Sequence, residues 1–151
     1  MNSIRVKKNN EYIIEVNEQG DTISFNIEDP ELPLKLDRAM EKINHIQQVF
    51  KEKEVILQKQ KDEKRDSLLS KNEKAQAELA SQMFNEMRDA VDQFLGVNAC
   101  HKIFGTTNYI SMFDDLFEQL QPHFEKMNLN AKKFAESIQT KYQHEDEDVI
   151  R

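Results

Sequence analysis

A chain of 151 residues fits one compact domain, or one small domain carrying a projection, and is short for a multidomain enzyme. Its 21 Lys and Arg against 28 Asp and Glu give a formal charge of −7, so attraction to nucleic-acid phosphates or anionic lipid would need a local basic patch; none dominates the sequence. Apolar types make up 38% and aromatics 8%, with no Trp, which is a lean supply for a core but above that of a disordered chain. Cys100 is the only cysteine, which excludes an intrachain disulfide framework and makes a reducing cytoplasm the expected setting. The opening segment has no apolar h-region, and no apolar run approaches the roughly 20 residues that span lipid, so neither a targeting segment nor a membrane partner is expected.

Residues 1–30 read as strands, because apolar residues alternate through Ile4 and Val6, then Tyr12, Ile14 and Val16, then Ile23, Phe25 and Ile27. This predicts an antiparallel β-meander of three strands, or a hairpin, turning at Asn9-Asn10 and at Asn17–Asp21 around Gly20. Thr22, Ser24 and Asn26 fall on the opposite face, so the sheet is apolar on one side and must be covered there. Asp29-Pro30-Glu31-Leu32-Pro33 then stiffens the chain and marks a hinge between structural classes.

No Gly or Pro occurs in the 62 residues from Leu34 to Leu95, and helix is predicted there. Leu36, Met40, Ile43, Ile46 or Gln47, and Phe50 make one apolar stripe that weakens toward Leu57; a second runs through Leu69, Leu79, Ala80, Met83, Met87, Ala90, Val91 and Phe94. Between them, Gln58–Ser67 holds no apolar residue, and residues 51–78 contain 15 charged residues among 28. One uninterrupted helix would reach roughly 93 Å, against about 40 Å for a compact chain of this size. The span 31–95 is therefore either a long projecting helix or an antiparallel helical hairpin with a polar tip near 58–67. Ser70 and Glu73 spell a capping box that favours the hairpin, whereas Lys59–Glu63 and Asp62–Arg65 pairs support continuous helix.

Residues 96–144 predict a small helical bundle. Gly96 caps the preceding helix, Asn98–Phe104 makes a short helical turn closed by Gly105, and the next helix starts at Thr107 or Asn108 with Ser111 and Asp114 as an inner capping box. Tyr109, Phe113, Leu116 and Leu120 mark its buried stripe, and Pro122 stops or kinks it. A last helix capped by Asn130 would carry Phe134, Ile138 and Tyr142 ahead of an acidic tail at 145–151. The expected class is thus α+β and predominantly helical.

Chemistry-bearing constellations are scarce. No Gly belongs to a phosphate-binding G-x-G-x-x-G or P-loop pattern. Cys100 and His101 are adjacent on a helix and point about 100° apart, which suits a buried thiol beside a surface imidazole better than a nucleophile with its base. Asp114, Asp115 and Glu118 lack a Glu-x-x-His partner, and His45 and His123 lack ligand spacing, so no metal or cofactor is expected. The cations Lys59, Lys61, Lys64 and Arg65 are interleaved with Asp62, Glu63 and Asp66 and have no aromatic neighbour to stack a base, so nucleic acid is not an expected partner. More informative is the soft apolar content of the second half, which holds seven of the nine Phe. Phe84, Met87, Phe94, Phe104, Met112, Phe113, Phe117 and Phe124 are candidate partner-binding residues, since Met and Phe suit grooves that accept amphipathic helices; an ordinary helical core is the competing explanation.

The succession of EYIIEVNEQGDTISFNIEDPELPLKL, a charged helix, AVDQFLGVNACHKIFG and NYISMFDDLFEQLQPHFEKM resembles the tail assembly chaperones of siphophages and prophages of Gram-positive bacteria. The resemblance touches about half the chain and leaves residues 51–78 without a motif. It implies a non-catalytic role in tail morphogenesis in the host bacterial cytoplasm, with the tape-measure protein or the major tail protein as partner, and it assigns no site residue. A structural tail component that forms a homo-oligomer through sheet edges or coiled-coil helices is the alternative.

Overall fold

The computed structural model describes residues 1–6 and 11–127. The chain divides into two compact units: Leu36–Cys100 forms one, and the segments flanking it form the other. The architecture is α+β and predominantly helical, with one antiparallel hairpin followed by long helices.

The hairpin pairs β1 (Glu11–Glu15) with β2 (Thr22–Asn26), Ile14 opposite Ile23 and Tyr12 opposite Phe25. Its loop is built by Asn17, whose side chain donates to Asp21 Oδ2 at 2.7 Å and accepts from the Asp21 amide at 3.1 Å, while Gly20 supplies the positive φ of 84°. Among the described residues the expected third strand is not formed: the sheet there has two strands, Ile4 and Val6 lie outside any strand, and both are exposed. The proposed Asn9-Asn10 turn lies outside the described residues. Alternation alone did not distinguish a strand from an extended arm, because Ile4 and Val6 bury nothing that would offset the ordering of the backbone.

On the covered face Ile23 and Phe25 are buried, and the Phe25 ring meets Phe124 edge-on at 6.2 Å. Tyr12 on the same face shares a 2.7 Å hydrogen bond between its hydroxyl and His123 Nδ1. Asn17 Nδ2 donates to the Lys102 carbonyl at 2.9 Å, and Lys102 Nζ donates to the Thr22 carbonyl at 3.4 Å. The helix that covers the sheet is thus α4 (Met112–Lys126), whose Met112, Phe113, Leu116, Phe117, Leu120 and Phe124 are buried.

Three sequence expectations for this region change. Of the two roles expected for Pro122, stopping the helix is not realised: it sits inside α4, and the stripe continues to buried Phe124 and Met127. The capping box of Ser111 and Asp114 is not formed, because Ser111 makes no side-chain cap bond. Tyr109 precedes the helix and is 42% exposed, its hydroxyl donating to Asp115 Oδ2 at 3.0 Å, so it is not part of the buried stripe. The predicted last helix with Phe134, Ile138 and Tyr142, and the acidic tail, lie outside the described residues.

The first long helix, α1 (Glu31–Gln58), starts earlier than Leu34. Asp29 Oδ1 accepts from the Glu31 amide at 2.9 Å, and Pro33 is tolerated because first-turn amides have no intrahelical acceptor. The expected hinge is therefore a helix start. Helix α2 (Lys71–Leu95) follows, so the 62-residue interval is broken into two helices. Leu36, Ala39, Ile43, Ile46 and Phe50 are buried on α1, and Met87, Ala90, Val91, Phe94 and Leu95 on α2.

The break is held by a polar clasp. Asp62 accepts from Ser70 Oγ at 2.7 Å and from the Asn72 amide at 3.0 Å, Asn72 Nδ2 donates to the Gln60 carbonyl at 2.8 Å, and the Lys71 amide donates to the Glu63 carbonyl at 2.9 Å. The Ser70–Glu73 capping box forms in both directions. These bonds satisfy the free amides of the α2 start, a larger gain than the few tenths of a kcal/mol from each exposed charge pair that continuous helix would have kept. Helix α2 ends at Gly96 with φ 118°, and α3 (Ala99–Phe104) follows at once, closed by Gly105.

Candidate partner-binding surfaces

The eight candidate residues are divided between the units. Phe84, Met87 and Phe94 lie on α2; Phe104, Met112, Phe113, Phe117 and Phe124 belong to the other unit. Met87, Phe94, Met112, Phe113, Phe117 and Phe124 are buried, so in this conformation they serve as core. Phe104 meets Phe113 edge-on at 5.9 Å and Tyr109 at 6.5 Å, which shows how the Phe-rich segments pack on one another. Only Phe84 and Phe104 keep partial exposure.

The large apolar side chains that do face water are elsewhere. Ile56 near the end of α1 is 58% exposed with Val55 beside it, and Leu68 in the connection is 96% exposed. In the other unit, Ile110 before α4 is 89% exposed and Ile13 in the middle of β1 is 60% exposed. The Val55-Ile56-Leu57 run was visible in the sequence, but its position beyond the packed part of the stripe was not. Leu68 carried no periodicity signal, because it belongs to no helix.

Cys100 is buried, with its amide donating to Asp92 Oδ1 at 2.8 Å and its Sγ 3.6 Å from the Arg88 carbonyl; His101 beside it is exposed. Burial pushes the thiol well above its ordinary range, and the nearby Asp92 carboxylate pushes it further, so the reactive thiolate is suppressed. Asp114 is also raised, by desolvation first and by Asp115 second. Among the described residues no group of three or more His, Cys, Asp and Glu is placed to hold a metal, and no helix is long and apolar enough to cross a membrane. The chain matches no protein-family model, no curated protein and no solved structure.

Proposed function

We propose that this protein is a non-catalytic assembly chaperone of phage tail morphogenesis, working in the host bacterial cytoplasm with the tape-measure protein as its client. The observation that carries the proposal is the placement of Val55, Ile56 and Leu68 in water within a stretch dense in both charge signs. Apolar side chains held among charges can engage a helical, largely apolar client while the complex stays soluble. The partly exposed Phe84 adds to the same unit's surface, whereas the buried Met87 and Phe94 of that unit serve as its core. Coexpression is the test: a tape-measure segment that is insoluble alone should become soluble with this protein, and Ile56→Ser with Leu68→Ser should remove the rescue. Failure of the purified protein to associate with any neighbouring tail gene product would overturn the proposal.

A structural tail component is the second reading, favoured by the outer edge of β1, which no third strand pairs among the described residues. Mass spectrometry of purified virions separates the two, since a chaperone is absent from mature particles and a structural subunit is present at fixed stoichiometry.

A further inference from the structure

The parity of the hairpin fixes which backbone groups are left over. Val16 donates its amide to the Asp21 carbonyl at 2.9 Å, and these two residues continue the register of the ladder. Hydrogen-bonded pairs alternate with non-bonded ones in an antiparallel ladder, so Ile14 with Ile23 and Tyr12 with Phe25 are bonded pairs. Glu11, Ile13 and Glu15 therefore turn their amides and carbonyls away from β2, and Thr22, Ser24 and Asn26 do the same on the other edge. Lys102 Nζ reaches the Thr22 carbonyl from outside, as this parity requires, and so occupies one end of the β2 edge. No backbone hydrogen bond reaches Glu11, Ile13 or Glu15 from outside the sheet among the described residues. The side chains of these three residues share the uncovered face, with both glutamates exposed and Ile13 exposed beside Ser24.

We propose that the outer edge of β1 is a strand-addition site for an extended segment of another protein in which Lys or Arg flank an apolar residue at alternate positions. Such a segment would complete the three outward amides and carbonyls, place its cations against Glu11 and Glu15, and lay its apolar residue on Ile13. The pattern is symmetric about its centre, so it fits in either strand direction. A second copy of this chain does not supply the pattern: antiparallel pairing of two β1 strands about Ile13 sets Glu11 against Glu15 twice, direct parallel pairing sets like against like, and the outward residues of β2, Thr22, Ser24 and Asn26, include no cation. The site is defined by its own chemistry and does not rest on the tail-chaperone reading.

The probe is the fluorescein-labelled peptide Ser-Lys-Thr-Val-Thr-Lys-Ser, titrated against the full chain up to about 1 mM, a range that detects weak complexes. Saturable anisotropy change is expected, with amide shifts centred on Glu11, Ile13 and Glu15 in NMR spectra. The Glu11→Lys/Glu15→Lys variant should bind this peptide about tenfold more weakly and should gain binding to the version with Glu in place of Lys. Nuclear Overhauser contacts between Ile14 and Ile23 confirm that the variant keeps its hairpin. Shifts centred elsewhere, or no effect of charge reversal, would overturn the proposal. So would Val6–Ile13 contacts in the free protein, which mean that its own N-terminal arm takes the edge, or concentration-dependent shifts without peptide, which mean that a second copy does.

Discussion

Asn44 Oδ1 on α1 and Glu86 Oε2 on α2 are buried oxygens of the helical unit with no hydrogen-bond partner among the described residues. A buried acceptor without a donor forfeits the hydration it had in the unfolded chain, a loss of about 1 to 3 kcal/mol. Replacing the group by an apolar one of similar volume removes that loss. Glu86→Leu is therefore expected to stabilise the protein by about 1 kcal/mol, seen as a higher urea midpoint with an unchanged m-value. A lower midpoint would show that the carboxylate has a partner the protein supplies by rearranging. Phe124 illustrates the opposite case. Its side chain is 1% exposed and packs against Phe25, so Phe124→Ala should cost about 3 to 5 kcal/mol and lower the thermal midpoint accordingly. The apolar identity of these core positions was legible from helical spacing. What spacing could not separate was core from partner surface, since Met112 and Phe117 obey the same periodicity whether they face the chain's own sheet or another molecule.

At the scale of elements, the clasp between α1 and α2 makes the break depend on one ionised carboxylate. Hydrogen bonds from the Asn72 amide first, then from Ser70, hold Asp62 below its ordinary carboxylate range. A depressed folded-state pKa contributes stability above the unfolded-state value, and the contribution fades as pH falls through the lower folded-state value. The midpoint difference between wild type and Asp62→Ala is thus expected to be full well above the ordinary carboxylate range and to shrink as pH falls below that range, through the lower folded-state value. The Asn72 amide resonance should titrate with a midpoint below that of a free aspartate. A pH-independent difference would remove the charged clasp from the account. Half of this turn was readable in advance, because Ser70-x-x-Glu73 is a local signal. The other half was not, because Asp62 reaches Asn72 ten residues away, and its role depends on how the connection closes. The third strand failed for a related reason: alternation at Ile4 and Val6 matches a strand, but a strand also needs an adjacent edge and a buried face.

For the whole molecule, the separation of core from exposed apolar residues turns into a test of how the protein acts. If the Phe-rich helices themselves met the partner, substitutions at Phe113 or Phe117 would have to abolish binding through contact, yet both are buried and their loss would act through unfolding. Leu68 and Ile56 are exposed, and surface substitutions away from packed features fall within about 0.5 kcal/mol. Leu68→Ser and Ile56→Ser should therefore leave the thermal midpoint nearly unchanged while weakening association with a coexpressed tail protein, measured by co-purification yield at matched expression. Phe117→Ala should lose both together. Should the two serine variants retain full association, the client surface lies elsewhere, and other exposed apolar sites, such as Val97, Ile110 and Ile13, become the ones to vary. A net charge of −7 adds a second readout, since contacts steered by that field weaken as salt shortens the Debye length, whereas contacts made by Leu68 and Ile56 persist.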